Sequence, residues 1–286
     1  MPARAFPQPS IGHVLLLVLA RAVALYCAFN LAASDSGPSI SLASQSPAEV
    51  YAYPNYDTMM VFGDSITQFG NSVDRGGFVA RLANYYQRQM DVINRGFSQY
   101  NASGALGIAR NVFPKTASPV YSRSAAPAKS KPSSALWPLR DSNFPKSSSK
   151  LQLCILFFGT NDALAPSHPR ANPIDSYYHA MHSLVALLRD SNSKHYSPET
   201  RIIIVTPPPV GELMLAEPTL TNARTSAYAQ MAKRVATEVG APYVDVFAEI
   251  QARVKQDQAN GNVTGEYDGY DKYFGDGIHP NFHGNS

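Results

Sequence analysis

Cysteine is scarce in this chain, with two among 286 residues. A disulfide framework and a four-cysteine zinc site are therefore excluded. Charged residues are also few, at 16%, and neither of the usual glycine-rich phosphate loops occurs in the sequence. Two classes are therefore excluded: small disulfide scaffolds, and nucleotide-binding proteins that use one of those loops. A chain of this length forms one large domain or two small ones, with room for a sizeable core.

The positive charge is concentrated in two segments. Of a net charge of +3, residues 1–33 carry +2 and residues 114–150 carry +6, so the remaining residues carry −5. The part of the chain that has the pattern of a folded body is therefore mildly acidic. This distribution argues against a face that binds polyanions, and we expect no nucleic-acid partner.

Residues 14–33 form an apolar stretch after a short start that contains Arg4. The pattern is typical of a secretory signal or a signal anchor, with Ala32-Ala33-Ser34 as a cleavage site. Arg21 interrupts the apolar run at a cost of roughly 2.5–3.5 kcal/mol on membrane-insertion scales. A presequence that contributes nothing to the fold is therefore the alternative. We expect secretion or membrane anchoring if this segment acts as a signal, a cytoplasmic protein otherwise, and membrane association only through this segment.

Two further segments lack the pattern of a core. Residues 34–50 are polar and rich in serine, so residues 1–50 as a whole are predicted to be a signal-like or disordered segment with its linker, ahead of a domain at residues 51–286. Residues 114–150 contain ten serines and six prolines. Such a composition buries too little apolar surface to offset the entropy of ordering, which predicts a disordered insertion at the surface.

The rest of the chain alternates short apolar runs with amphipathic stretches. The runs predict five strands, at Thr58–Phe62, Asp91–Asn94, Leu151–Phe158, Arg201–Thr206 and Pro242–Phe247. Helical spacing separates or follows them at Gly77–Met90, Ala105–Val112, Ile174–Arg189, Thr221–Val239 and Ala248–Asp257. This alternation predicts an α/β fold with a parallel sheet and helices on both faces. Sheets of this kind carry their sites at the carboxyl ends of the strands.

Polar motifs stand where the first three strands end, and a fourth lies near the C-terminus. They are Gly63-Asp64-Ser65-Ile66-Thr67, Asn94-Arg95-Gly96-Phe97-Ser98, Gly159-Thr160-Asn161-Asp162 and Asp276-Gly277-Ile278-His279-Pro280. Taken singly, each is explained by local structure, because serine caps helices and Gly, Asn and Asp favour turns. Their joint occurrence is harder to explain in that way.

In order and position, the four motifs resemble the blocks of the GDSL esterase/lipase family, also called SGNH hydrolases. The resemblance spans residues 58–286 and is strongest to the fungal isoamyl-acetate-hydrolysing esterase branch, through FGDSITQFG, INRGFSQYN, FFGTNDA and DGIHPN. It implies a three-layer αβα, flavodoxin-like sandwich with a five-stranded parallel sheet. It also implies hydrolysis of small-molecule, short-chain carboxylic esters of the acetate type, with no cofactor and no metal.

The resemblance implies a role for each matching residue. Ser65 is the nucleophile of a catalytic triad, His279 takes its proton, and Asp276 orients the imidazole. The N–H groups of Ser65 and Gly96 and the side-chain amide of Asn161 form the oxyanion hole. The carboxylates of Asp64 and Asp162, in contrast, are expected to fix turns and helix starts and not to act in catalysis.

The sequence departs from the family pattern at two places. Gln99 stands where the family usually has glycine, which is expected to narrow the rim of the pocket. Ser286 is seven residues beyond His279, whereas relatives continue into a final helix. The expectation is therefore of a truncated C-terminus and a poorly held histidine loop, which keeps a catalytically weakened binding protein as an alternative.

Other functions compatible with the residues stay open. A thioesterase or a carbohydrate deacetylase would use the same site, and an adaptor would act through residues 1–33 or 114–150. His179 and His182 are three residues apart on a predicted helix, as metal ligands on one face would be, although surface histidines explain the spacing equally well.

Overall fold

The computed structural model describes residues 56–72, 76–115, 150–263 and 266–281. The predictions for residues 1–50 lie outside this part of the chain. So do residues 116–149, which make up almost all of the predicted insertion, and residues 282–286 at the end of the sequence.

The described residues contain a five-stranded sheet in which every neighbouring pair is parallel. The strands are β1 (Asp57–Gly63), β2 (Met90–Gly96), β3 (Leu151–Phe157), β4 (Arg201–Val205) and β5 (Tyr243–Val244), in the spatial order β2-β1-β3-β4-β5. The predicted parallel sheet is confirmed, and its order is that of flavodoxin-like folds. β5 is shorter than predicted because Asp245 already caps the helix that follows.

Six α-helices pack on the sheet within the described residues. They are α1 (Ser65–Phe69), α2 (Phe78–Tyr85), α3 (Ala102–Val112), α4 (Ile174–Arg189), α5 (Asn222–Glu238) and α6 (Val246–Ala259). Residues of α3, α4 and α5 share one core with the sheet, and residues of α1, α2 and α6 share a second core on the opposite face. The fold is therefore the expected three-layer αβα sandwich.

The apolar runs of the central strands are continuous because both faces of these strands are buried. In β1, Met60 and Phe62 point to the layer of α3–α5, while Met59 and Val61 point to the layer of α1, α2 and α6. All four side chains are at most 3% exposed. Burial on both faces removes the polar alternation of a half-exposed strand. Each such side chain contributes about 1.5–3 kcal/mol to the stability of the fold.

Capping side chains set the helix starts that periodicity alone placed inexactly. α3 begins at Ala102, three residues before the predicted start, because Asn101 Oδ1 accepts a hydrogen bond from the Gly104 N–H at 2.8 Å. The predicted helix at Gly77–Met90 ends at Tyr85. The chain then leaves through a turn in which Arg88 has a φ of +63°, a conformation that a helix does not allow.

The topology places the polar motifs on one edge of the sheet. Gly63, at the end of β1, pairs with Gly96 on β2 and with Phe157 on β3. After β1 the chain enters α1 on one face, and after β3 it reaches α4 on the other. In folds of this type, the point between two such strands is where the loops diverge and form the crevice that binds ligands.

Candidate active site

Ser65 is the first residue of α1 and follows the end of β1 by two positions. The Asp64 side chain caps this helix, with Oδ1 accepting from the Ile66 N–H at 2.9 Å. Ser65 is 8% exposed, and its Oγ lies 2.8 Å from Nε2 of His279, which is 214 positions away in the sequence. The fold thus brings the first and the fourth motif into direct contact.

His279 is held by a short closed loop. The Gly275 N–H donates to the His279 carbonyl at 3.1 Å, and Phe274 and Pro280 form an antiparallel bridge. The Phe69 ring of α1 packs edge-on against the imidazole, with 5.0 Å between ring centroids. These contacts fix both the position and the plane of the imidazole ring.

Asp276 orients this ring through both of its carboxylate oxygens. Oδ1 accepts from the N–H groups of Ile278, at 3.0 Å, and His279, at 2.7 Å, while Oδ2 lies 2.7 Å from His279 Nδ1. Partial burial raises the pKa of Asp276, but the hydrogen bonds from His279 and Ile278 outweigh it and hold that pKa well below its usual range. The carboxylate is therefore ionised, and it requires the proton of the neutral imidazole to reside on Nδ1. Nε2 is then left as an acceptor that faces Ser65.

Gly277 lets the loop pass close to a neighbouring segment. Its φ is +82°, and an added Cβ would lie 2.8 Å from the carbonyl oxygen of Gly211. The Gly211 N–H donates to the Gly277 carbonyl at 2.8 Å. The loop is thus anchored on the segment that follows β4, so the expectation of a poorly held histidine loop is not met in this structure.

Asn161 lies in the loop after β3, and the end of β3 pairs with the end of β1, which precedes Ser65. One hydrogen of its side-chain amide is donated to the Tyr100 carbonyl at 3.1 Å, which leaves the second for another acceptor. Gly159 has a φ of +133°, and an added Cβ would lie 2.7 Å from Cγ of Pro207. The loop that carries Asn161 therefore requires glycine at this position.

The second motif differs from its predicted geometry. The N–H of Gly96, predicted as an oxyanion donor, instead donates to Asn94 Oδ1 at 2.8 Å. Asn94 Nδ2 in turn donates to the Thr67 carbonyl at 2.6 Å. An added Cβ at position 96 would lie 2.0 Å from the Gln68 backbone nitrogen. The requirement for glycine here comes from close packing of β2 against α1, and the geometry does not support Gly96 as a donor to substrate.

The following turn leaves one amide N–H without an acceptor. Phe97 N–H donates to the Gly63 carbonyl, Ser98 N–H to Gln68 Oε1, and Tyr100 N–H to the Phe97 carbonyl. Among the described residues, nothing accepts from the N–H of Gln99. This exposed residue has a φ of +70°, a conformation that favours glycine. The sequence predicted only that Gln99 narrows the rim of the pocket. That its backbone N–H has no acceptor depends on the backbone conformation of the turn, which the residue pattern does not show.

The two remaining carboxylates of the motifs are buried and have structural partners. Asp162 accepts from the Ala102 N–H at 3.0 Å and from Asn172 Nδ2 at 2.7 Å, so it joins the loop after β3 to the start of α3. Burial raises its pKa to about 6, against the lowering effect of these hydrogen bonds. Burial raises the pKa of Asp64 to about 7, the Ile66 N–H lowers it, and the charge of Asp162 raises it further. Both residues have the anchoring contacts expected of them.

In the described part of the chain, His182 and His195 have partners other than Asp276, His279 and Ser65. His182 contacts Glu238 at 2.9 Å, beside the Tyr178 hydroxyl, which donates to the same carboxylate oxygen. His195 Nδ1 lies 3.1 Å from the Pro114 carbonyl. In the part of the chain that the structure describes, no three His, Cys, Asp or Glu residues are grouped as metal ligands would be.

Comparison with known proteins decides the family. The model of the GDSL-like lipase/acylhydrolase family matches residues 61–286. The chain belongs to this family. The motif resemblance is thereby confirmed, and the protein is a carboxylic ester hydrolase by family.

Individual family members are similar over most of their length. The isoamyl acetate-hydrolyzing esterase 1 homolog of Bos taurus is 30% identical over 242 residues, covering 79% of this chain and 76% of that protein. A GDSL esterase/lipase of Arabidopsis thaliana is 28% identical over 243 residues, covering 79% and 80%.

A solved structure matches the fold of the family. The acetyl xylan esterase AlAXEase superposes with a TM-score of 0.53 at 16% identity, covering 79% of this chain and 93% of that one. No helix among the described residues has the length and apolar character needed to span a membrane.

Proposed function

We propose that this protein is a serine esterase that hydrolyses short-chain carboxylic esters, acetates among them, through an acyl-Ser65 intermediate. The observation that carries the proposal is the continuous relay Asp276–His279–Ser65, with 2.7 Å between carboxylate and imidazole and 2.8 Å between imidazole and hydroxyl. A serine hydroxyl is a weak nucleophile until an adjacent base takes its proton, and the relay supplies that base.

In the first half of the reaction, Ser65 Oγ attacks the carbonyl carbon of the ester while its proton moves to His279 Nε2. The ionised Asp276 stabilises the imidazolium that forms. The tetrahedral intermediate then collapses, the bond to the alcohol oxygen breaks, and the alcohol leaves with the proton from Nε2. The product of this half is an ester between the acyl group and Ser65.

In the second half, water takes the place of the alcohol. His279 Nε2 accepts a proton from the water as its oxygen attacks the acyl carbon. The bond to Ser65 Oγ then breaks, and the proton returns to Ser65 as the carboxylic acid is released. Over both halves, one water molecule is consumed, one alcohol and one carboxylic acid are released, and Ser65 and His279 return to their starting protonation states.

The negative oxygen of each tetrahedral intermediate needs hydrogen-bond donors, and three are available. The Ser65 N–H is at the first position of α1, where the helix provides no acceptor. The second hydrogen of the Asn161 amide is the next donor. We assign the third to the N–H of Gln99, which has no acceptor in its turn, in place of Gly96, whose N–H is bound to Asn94.

Two observations support a short acyl group. Gln99 adds a long side chain next to the N–H that we assign to the oxyanion hole, where the family usually has glycine, and we infer that it reduces the space beside the reacting carbonyl. The second is that similar family members carry the name isoamyl acetate-hydrolyzing esterase homolog. The anchored loop that carries His279 favours an active enzyme over a weakened binding protein.

The test is hydrolysis of p-nitrophenyl acetate, butyrate and octanoate by the wild type, Ser65→Ala and Ser176→Ala. Ser176 is an exposed serine on α4 and is the matched control. We expect the wild type and the control to prefer acetate and butyrate, and Ser65→Ala to lose hydrolysis and labelling by a fluorophosphonate probe. Persistent turnover in Ser65→Ala would exclude Ser65 as the nucleophile.

A second panel distinguishes the substrate classes that share this chemistry. Acetylated xylo-oligosaccharides represent carbohydrate esters, and acetyl-coenzyme A represents thioesters. A kcat/KM for either that exceeds the value for simple acetate esters would replace the proposed substrate class and leave the nucleophile unchanged.

A further inference from the structure

A cavity of about 600 Å³ lies at the end of the sheet opposite the relay. Its walls are the last turns of α3 and α4 and the segment 190–195. Both helices begin near the carboxyl ends of the strands and run back toward the amino ends, and segment 190–195 comes shortly before the start of β4. The cavity is therefore separated from Ser65 and His279 by the length of the strands.

The charges around this cavity are predominantly positive. Arg110, Lys115 and Lys194 line it, against the single carboxylate of Asp190. Oδ1 of that carboxylate is engaged by Asn192, whose backbone N–H and side-chain amide donate to it at 2.9 and 3.2 Å. Within the described residues, neither Arg110 nor Lys115 has an ion-pair or hydrogen-bond partner for its side chain.

The folded body around this cavity carries the opposite net charge. The chain outside residues 1–33 and 114–150 carries −5, and Arg110 and Lys194 belong to that part, whereas Lys115 belongs to the basic segment 114–150. Cations that converge on a concave surface produce a focused positive potential, because the low-dielectric walls reduce screening by solvent. An anion is the ligand that such a potential favours.

The uncharged lining indicates what else the ligand carries. Asn111 and Ser183 add hydrogen-bond donors, while Ala186 and Leu187 provide an apolar patch. The volume lies in the range of cavities that hold small organic ligands, about 300–1,000 Å³. Anionic oxygens on a small carbon body match this combination of cations, amide, hydroxyl and apolar surface.

We propose that this cavity binds a small organic anion with a phosphate or carboxylate head, at a site separate from the catalytic crevice. The guanidinium of Arg110 and the ammonium of Lys115 hold the anionic oxygens through charge-assisted hydrogen bonds. Ala186 and Leu187 contact the body of the ligand. The site requires none of the residues of the relay.

Isothermal titration calorimetry with three probes tests this proposal. The probes are inorganic phosphate, glucose 6-phosphate and hexanoate, which separate a bare phosphate head, a phosphate on a polar body and a carboxylate on an apolar body. We expect at least one probe to bind with a stoichiometry near one. Binding should weaken as ionic strength rises from about 0.05 to 0.5 M, because Arg110 and Lys115 are exposed and salt screens exposed cations.

The decisive variant is Arg110→Gln/Lys115→Gln, with Arg81→Gln/Lys255→Gln as a control that removes the same charges elsewhere. We expect affinity to fall at least tenfold in the first and to stay within twofold of the wild type in the second. Without ligand, both should hydrolyse p-nitrophenyl acetate as the wild type does, which keeps this test independent of the proposed esterase function. Absence of binding by all three probes up to about 10 mM, or equal affinity in the two double variants, would overturn the proposal.

Discussion

Replacing Asp276 by asparagine should change the tautomer of the His279 imidazole while the shape of the loop is retained. An asparagine Oδ1 keeps the two hydrogen bonds from the Ile278 and His279 N–H groups. Its amide nitrogen, however, takes the place of Oδ2, which lies 2.7 Å from His279 Nδ1 in the wild type. Because that nitrogen donates, the imidazole must present a lone pair at Nδ1 and carry its proton on Nε2. An Nε2–H donates toward Ser65 Oγ and is unable to accept its proton.

The magnitude follows from this change of tautomer. Loss of the correct tautomer in a Ser-His-Asp device lowers kcat by about 10⁴, equivalent to about 5 kcal/mol of transition-state stabilisation. KM should change much less, because the groups around the substrate carbonyl are retained. Stability should change little, because the backbone hydrogen bonds remain and the Asp276 side chain is 56% exposed.

The assay is steady-state hydrolysis of p-nitrophenyl acetate, combined with urea unfolding of each variant. Asp268→Asn is the matched control, since Asp268 is exposed and its φ of +52° is a conformation that asparagine tolerates. We expect the control to keep the wild-type kcat. A folded Asp276→Asn variant with kcat within tenfold of the wild type would refute the role of Asp276 derived from this geometry.

Three further predictions concern the oxyanion hole, a buried carboxylate and the base of the histidine loop. Asn161→Ala should lower kcat by about 10²–10³-fold, with a smaller effect on KM, because one donor of the oxyanion hole is lost. The measurement is hydrolysis of p-nitrophenyl acetate, and an unchanged kcat would contradict that role. Burial of Asp64 raises its folded-state pKa from near 4 to about 7, so deprotonation costs stability as pH rises from 4 to 7, by up to about 4 kcal/mol. Asp64→Asn keeps an acceptor for the Ile66 N–H and should flatten this pH dependence in urea unfolding, whereas an unchanged slope would argue against the shift. Tyr273→Phe removes the hydroxyl that donates to buried Asp257 at 2.5 Å and should cost about 1–3 kcal/mol of unfolding free energy; no loss in urea unfolding would show that this contact does not stabilise the loop.

Much of the fold follows from patterns that a single sequence displays. The run from Leu151 to Phe157 has to be buried on both faces, because each of its side chains but one is apolar and no polar face remains. α4 was predicted with its observed bounds, since its apolar positions recur at helical spacing between Pro173 and Asp190. Elements whose ends depend on capping, such as α3 and β5, were placed less accurately. Their limits are set by backbone hydrogen bonds that the side chains of Asn101 and Asp245 accept, which periodicity does not report.

The geometry of the candidate site was also predictable only in part. Asp276 and His279 are three positions apart, so a tight turn brings carboxylate and imidazole together through local geometry that the sequence contains. The role of the second motif was predicted from resemblance, and there the tertiary structure differs. Which N–H in that turn lacks an acceptor depends on Asn94, Gln68 and Gly63. Gly63 belongs to the first motif, and Gln68 directly follows it.

The sequence by itself determined the class of fold and the order of the motifs, because both depend on residue type and short spacing. Through the family resemblance it also predicts Ser65, His279 and Asp276 as nucleophile, base and orienting carboxylate. Only the tertiary structure decided that Ser65 meets His279 and that, among the described residues, the amide N–H without an acceptor is that of Gln99 and not that of Gly96. The physical reason is that both depend on the competition for hydrogen bonds among segments far apart in the chain, which is settled only when the strands are in register and α1 packs against the end of β2.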